Sequence, residues 1–375
     1  MKFEMVDLKG QYKKIKPDID RAMIDCVESA EFINGKLVSV FSENLAKYVG
    51  VKYVIPCANG TDALQIALMA LDLKPGDEVI VPAFTYVATA EVIALLKLVP
   101  VMVDVMPDDF SINLDQVKKL ITPRTKAIVP VHLFGQCAGM EELLHLAKEN
   151  NIYVIEDTAQ AIGAKYIFKD GSIHQAGTMG NIGTTSFFPS KNLGCYGDGG
   201  AIFTNNDALA ERIKMMANHG QSKKYIHDVI GVNSRLDTLQ AAILNVKLSH
   251  LDEYCLARNT AADYYDQALK DIDGITIPSR VSNSTHVFHQ YTMKISDGKR
   301  DSLKAFLQEK GIPSMVYYPF PLHFQKAYKS DRFPKGSLPV SENLCEIVLS
   351  LPIHTELNSE TQDYIISTIK DFFNK

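Results

Sequence analysis

The sequence predicts an α/β fold: a large domain built on a mostly parallel sheet, followed by a smaller C-terminal α+β unit. Three observations carry this expectation. Short β-branched runs alternate with segments of helical period, as in a doubly wound domain. The runs are apolar at nearly every position, as strands covered on both faces are. Near residue 250 the alternation stops, and a long helical stretch leads into a differently patterned end.

Taken in order, a helical arm is expected over 10–48. Strand candidates follow at Glu78–Pro82, Val101–Asp104, Ala127–Val131 and Tyr153–Glu156, with helical segments at 61–72, 86–97 and 139–150 among them. Between 184 and 204, Thr-Thr-Ser-Phe-Phe, a glycine-dense loop and Ala-Ile-Phe-Thr predict two further strands joined irregularly. Leu236, Leu239, Ile243, Val246, Leu248 and Leu251 place a long helix over 234–270. Beyond it stand a strand candidate at Gln290–Ile295 and helices near 300–310 and 359–373. The expected division is 1–250 for the arm and large domain and 251–375 for the small one.

With 46% hydrophobic and 22% charged residues, the chain reads as globular and far from disordered or membrane compositions. A net charge of −5 argues against nucleic-acid binding, which requires a basic excess to neutralise phosphates. No apolar run reaches the roughly 18 residues of a membrane span, and no signal-peptide pattern opens the chain. Six dispersed cysteines form neither a C-x-x-C pair nor a metal-ligand spacing. The expectation is a cytoplasmic protein that uses no metal.

Four segments carry chemistry. In Ser186-Phe-Phe-Pro-Ser-Lys-Asn-Leu-Gly-Cys-Tyr-Gly-Asp-Gly-Gly200, Lys191 sits between a strand and a loop of tight turns. A single lysine is ordinarily a solvated surface group. The order matches neither a P-loop nor a dinucleotide motif. In Val154-Ile-Glu-Asp-Thr-Ala-Gln160, a strand ends on Asp157, where open α/β sheets meet their ligands. Asp157 is equally suited to cap a following helix. Asn59-Gly-Thr-Asp62, before an amphipathic helix, offers free N–H groups to a phosphate, or forms an ordinary turn with a good N-cap. Tyr86, in Phe84-Thr-Tyr-Val-Ala-Thr-Ala-Glu91, can stack on a flat ring or fill a core. Together the four supply what pyridoxal phosphate (PLP) needs: a lysine, a pyridinium partner, a phosphate cradle and a ring platform.

The order Asn-Gly-Thr-Asp-Ala-Leu, Glu-Asp-Thr-Ala-Gln-Ala-Ile-Gly-Ala, Ser-Phe-Phe-Pro-Ser-Lys-Asn-Leu-Gly-Cys-Tyr-Gly-Asp-Gly-Gly and Gly231-Val-Asn-Ser-Arg-Leu-Asp237 resembles the DegT/DnrJ/EryC1/StrS sugar aminotransferases over essentially the whole chain. The resemblance implies the type I PLP-dependent aminotransferase fold. It implies that Lys191 holds PLP as a Schiff base, that Asp157 pairs with the pyridinium nitrogen and that Gln160 lies near the ring's phenolate oxygen. Tyr86 would stack on the ring, and Gly60, Thr61 and Ser186 would hold the phosphate. It further implies a homodimer with shared active sites, in which Asn233 reaches the partner's phosphate and Arg235 faces substrate. Tyr318 and His219 are further substrate candidates. Within the family the motifs are most similar to enzymes that aminate UDP-2-acetamido-2-deoxy-3-oxo-glucuronate with L-glutamate in O-antigen and other surface-polysaccharide pathways. One departure is Tyr317-Tyr318-Pro319, where those relatives tend to have His-Tyr-Pro.

Other readings stay open at this point. The substrate could be another nucleotide-linked keto-deoxysugar, dTDP 3-keto or UDP 4-keto. A sugar dehydratase of the same fold that replaces the lysine by histidine is disfavoured by Lys191. A non-catalytic PLP-binding regulatory module would be expected to carry a helix-turn-helix or sensor domain, and no stretch of this chain reads as one.

Overall fold

A computed structural model describes residues 3–374. Its first nine strands are β1 (Tyr53–Cys57), β2 (Glu78–Pro82), β3 (Val99–Val103), β4 (Thr125–Ile128), β5 (Tyr153–Asp157), β6 (Lys165–Ile167), β7 (Ile173–Gln175), β8 (Ile182–Ser186) and β9 (Gly200–Thr204). Seven of them form one sheet in the order β1-β9-β8-β5-β4-β2-β3. β9 runs antiparallel to both of its neighbours, and the pairings from β8 through β5, β4 and β2 to β3 are parallel. Every residue of β2 and β9 is buried, which accounts for their unbroken apolar reading. β1 escaped the sequence reading because Pro56 interrupts it. Its place at the sheet edge explains the tolerance, since an edge position needs fewer ladder donors.

Strands β1 to β4 feed helices at Gly60–Ala70, Ala88–Leu95, Leu114–Leu120 and Met140–Glu149 in turn. Their inward faces share a core with the sheet that includes Ile66, Ile80, Val92, Val101, Ile128, Leu143 and Ile155. The expected arm is three helices, Leu8–Lys14, Lys16–Ser29 and Lys36–Val49, rather than one run.

The expected helix over 234–270 is corrected in two respects. It starts at Thr238, because Asn233 pairs with Asn218 in an isolated bridge and the Ser234 N–H bonds the Ala217 carbonyl, which draws 233–237 into extended backbone. It also breaks at Ser249–His250 into Thr238–Leu248 and Leu251–Leu269. Strands β10 (Gln221–Lys223) and β11 (Ile226–His227) form an exposed hairpin before it. Strands β12 (Ile275–Thr276), β13 (Tyr291–Ile295) and β14 (Val348–Leu351) make a three-stranded antiparallel sheet, on which the helix Leu251–Leu269 buries Ala262, Tyr265 and Leu269. Helices Arg300–Glu309 and Ser359–Phe373 match expectation. The helix Pro339–Ile347 joins this sheet to the larger one: the Asp104 carboxylate beyond β3 accepts from the N–H groups of Val340 (2.8 Å) and Ser341 (2.6 Å). No helix among the described residues is long and apolar enough to cross a membrane.

Candidate active site

The carboxyl edge of the sheet gathers Lys191, Asp157, Gln160, Ser186, Gly60, Thr61 and Tyr86, which follow or end strands β1, β2, β5 and β8. At the end of β5, strand alternation turns Glu156 and Asp157 to opposite faces. The Asp157 backbone is fixed from both sides: its N–H donates to the Pro130 carbonyl (2.9 Å), and its carbonyl accepts from the His132 N–H (3.0 Å). Its buried carboxylate accepts from the Thr89 hydroxyl (3.0 Å) and from the Ala159 N–H (3.1 Å). No helix follows, so the bond to Ala159 closes a turn and does not cap a helix. Burial pushes the Asp157 carboxyl above its ordinary value, opposed by those two bonds and by the Lys191 charge. An ionised carboxylate has about four acceptor positions, and two donors leave this one able to take a cationic N–H.

Lys191 lies beyond the end of β8, in a turn closed by its own N–H to the Phe188 carbonyl (2.8 Å). Its side chain is half-buried. Desolvation lowers its amine from 10.5 to about 8, with Asp157 pulling the other way. The loop that carries it is braced by hydrogen bonds. Phe187 N–H bonds Gly199 and Cys195 N–H bonds Phe187, both at 2.8 Å. From the helix Thr238–Leu248, Gln240 accepts from the Tyr196 N–H (2.8 Å), and the fully buried Lys247 amine donates to the Gly194 carbonyl (2.5 Å). Asn192 donates to the Val287 carbonyl at 2.8 Å.

Asn59 caps the helix Gly60–Ala70 by accepting from the Asp62 N–H (2.8 Å), so the ordinary-turn reading is right as far as it goes. The N–H groups of Gly60 and Thr61, the first two of this helix, have no partner among the described residues. This amino end abuts Ser186 so closely that a Cβ on Gly60 would lie 2.7 Å from the Ser186 Cβ. The concavity exists because position 60 has no side chain. Gly60→Ala is therefore expected to destabilise the cofactor-free chain by about 1–3 kcal/mol, the usual scale of overpacking; equal denaturation midpoints for variant and wild type would contradict the steric reading.

Gln160 is committed at both ends: its carbonyl oxygen accepts from the Phe134 N–H (2.7 Å), and its amide donates to the Tyr318 hydroxyl (3.1 Å). Burial pushes the Tyr318 hydroxyl up. The Tyr86 ring is 58% exposed and lies 6.3 Å from that of Tyr318, so Tyr86 is not a core residue. His219, Asn233 and Arg235 stand apart, with no bond to Lys191 or Asp157 in this chain. His219 is exposed, and its carbonyl accepts from His227 (2.9 Å). Asn233 is exposed, and Arg235 has neither ion pair nor hydrogen bond among the described residues. Between them, the Ser234 hydroxyl accepts from the Ala58 N–H (3.0 Å). Sequence reasoning missed Thr89, although it stands in the same segment three residues after Tyr86, in the first turn of the helix Ala88–Leu95. It also missed His289, whose imidazole is held well below its usual range by burial and by the charges of Lys191 and Arg258.

An amino end suited to a phosphate and a buried carboxylate suited to a pyridinium, at one edge of this sheet, define a PLP enzyme of the type I aminotransferase fold. The DegT/DnrJ/EryC1/StrS aminotransferase family matches residues 13–370. A pleiotropic regulatory protein of Geobacillus stearothermophilus is 46% identical, covering 100% of this chain and 99% of its own. The UDP-2-acetamido-2-deoxy-3-oxo-D-glucuronate aminotransferase of Pseudomonas aeruginosa is 46% identical over 98% of this chain and 99% of its own. A dTDP-3-amino-3,4,6-trideoxy-alpha-D-glucose transaminase of Streptomyces venezuelae is 37% identical over 98% and 95%. Among solved structures, a family aminotransferase from Brucella abortus has a TM-score of 0.94 at 42% identity, covering 100% of both chains. NtdA from Bacillus subtilis, with bound cofactor PMP, has a TM-score of 0.89 at 32% identity over 96% and 82%. The chain belongs to the DegT/DnrJ/EryC1/StrS aminotransferase family and is a PLP-dependent aminotransferase of nucleotide-linked sugars.

Proposed function

We propose that the chain transfers the amino group of L-glutamate to UDP-2-acetamido-2-deoxy-3-oxo-glucuronate in the cytoplasm, for surface polysaccharides such as O-antigen. The observation that carries this reading is the 46% identity, over nearly the full length of both chains, to the Pseudomonas aeruginosa enzyme named for that substrate. The Geobacillus stearothermophilus relative, equally identical, favours a second reading as a regulatory PLP-binding module. The test exposes the purified yellow protein to glutamate and then to a panel of UDP 3-keto, UDP 4-keto and dTDP 3-keto sugars, with products followed by mass spectrometry. Bleaching by glutamate and amination of the 3-keto-glucuronate are expected. Preference for another sugar would overturn the substrate, and indifference to every amino donor would favour the regulatory reading.

When bound, PLP supplies a carbonyl carbon that captures amines and a ring that takes up electrons. In the proposed assignment Lys191 holds it covalently at rest, and the freed Nζ then takes and returns the proton at the reacting carbon. Asp157 keeps the ring nitrogen protonated, and Gln160 directs its amide toward the ring's oxygen. Gly60, Thr61 and Ser186 receive the phosphate, and Tyr86 covers the ring face. Asn233 and Arg235 act across a homodimer interface: Asn233 reaches the partner's phosphate, and Arg235 meets substrate. That Arg235 has no ion pair or hydrogen bond among the described residues supports this. Tyr318 and His219 line the sugar-nucleotide path. A domain boundary at 250/251 belongs to the same reading, supported by the packing of Tyr265 and Leu269 on the three-stranded sheet.

A pH dependence follows from Lys191. Only the neutral amine attacks a carbonyl, and an amine lowered to about 8 is neutral at pH 7.5 roughly two hundredfold more often than an ordinary lysine. Stopped-flow capture of PLP by the cofactor-free enzyme should accelerate as pH rises and level off above about 8. A rate still climbing through pH 10 would show an unperturbed lysine.

A further inference from the structure

Glu156 and His132 are both fully buried, and the mechanism above uses neither. The Glu156 carboxylate accepts four hydrogen bonds: from the N–H groups of Gly177 (2.8 Å), Met179 (2.7 Å) and Gly180 (2.5 Å) and from His132 Nε2 (2.9 Å). Four donors fill the acceptor capacity of an ionised carboxylate, so Glu156 is a satisfied anion. The other imidazole nitrogen, Nδ1, accepts from the Ala138 N–H (3.0 Å). The tautomer follows: Nδ1 is bare, Nε2 carries the only proton, and the ring is neutral.

His132 is thus engaged at three points. Nε2 grips the residue before Asp157, the backbone N–H bonds the Asp157 carbonyl at 3.0 Å, and Nδ1 closes the 132–138 turn. That turn contains Phe134, at a positive φ of 58°, whose N–H aims Gln160 through a 2.7 Å bond. A single imidazole therefore connects the strand end that bears Asp157 to the turn that orients Gln160.

We propose that His132 is a positioning residue that sets Asp157 and Gln160 against each other, and so fixes the ring nitrogen and ring oxygen of the cofactor. The proposal rests on the roles assigned above to those two residues. Asn and Gln substitutions separate the branches. The side-chain oxygen of His132→Asn reaches the Nδ1 position and keeps the Ala138 bond, whereas the amide nitrogen of His132→Gln reaches the Nε2 position and keeps the Glu156 bond.

The experiment titrates the visible absorption band of the PLP-loaded variants against pH and measures PLP dissociation. In His132→Asn, looser Asp157 contact lowers the positive charge on the ring, so the band's midpoint should rise by about one unit. In His132→Gln the midpoint should stay closer to wild type while PLP dissociates at least tenfold faster. If both variants lose thermal stability but keep the wild-type midpoint and PLP retention, His132 is merely structural and the proposal fails. Asp157→Asn is the control: an unchanged midpoint there would sink the Asp157 assignment itself, whereas a shift there with none in the His132 variants sinks only this inference. Should the variants not fold, nitrogen-15 spectra of the wild-type imidazole decide, since a proton on Nδ1 between pH 6 and 9 contradicts the geometry.

Discussion

Lys191→Ala is expected to abolish amino transfer, leaving at most about one part in ten thousand of the wild-type single-turnover rate. Proton transfer by a positioned side chain alone contributes about 10²–10⁴-fold, and the covalent anchor is lost along with it. The visible band of the bound cofactor should vanish as well. The fold should survive. The loop is held by the Phe187–Gly199 and Cys195–Phe187 backbone bonds and by Gln240 and Lys247, none of which passes through the Lys191 side chain. Removing an amine that burial disfavours as a cation should leave the melting temperature of the cofactor-free chain equal or higher. An inactive variant that is also unfolded would reveal a structural lysine, and a variant with wild-type rates would remove Lys191 from the chemistry.

Asp157→Asn should cost about 10²–10³-fold in kcat, the scale of losing one preorganised electrostatic contact. The single oxygen of asparagine can keep the Ala159 N–H bond while the Thr89 hydroxyl turns to accept from its amide, but asparagine cannot hold a proton on the ring nitrogen. Stability should move the opposite way. The folded carboxyl lies above its unfolded value because burial disfavours the anion. Between the unfolded and folded values the native state binds more protons, so this group's contribution falls as pH rises through that window and stays unfavourable above it. The cofactor-free Asp157→Asn chain should therefore gain stability over wild type at pH 7 and lose that advantage below the ordinary carboxylate range. Equal activity, or a melting temperature that falls at pH 7, would contradict the reading.

Much of the large sheet was legible because its strands are covered on both faces. Glu78–Pro82 was bounded to the residue, and Tyr153–Glu156 missed only Asp157. Periodicity failed where a contact distant in sequence decides the backbone. Nothing local in Val232-Asn-Ser-Arg signals that Asn218, Ala217 and Ala58 hold it extended, so the helix was started four residues early. The strand Val348–Leu351 was missed because it is short and is defined by pairing with Tyr291–Lys294. The site divides in the same way. Lys191, Asp157 and Gly60 stand in compact motifs beside strand ends. Thr89 meets Asp157 across 68 positions and His132 meets Glu156 across 24, and only the folded chain brings either pair together. Nothing in the sequence around Lys247 distinguishes this buried lysine from a solvated one.

Lys247 also supplies the sharpest internal comparison. Its amine, like that of Lys191, is lowered by burial to about 8, but it is committed to the Gly194 carbonyl and packs 5.4 Å from the Tyr196 ring. Two lysines share the altered basicity, and only Lys191 is assigned the cofactor. Borohydride reduction of the PLP-loaded protein, followed by proteolysis and mass spectrometry, locates the reduced adduct directly. A single modified peptide containing Lys191 is expected; a stoichiometric adduct on Lys247, or on any other lysine, would overturn the Lys191 assignment.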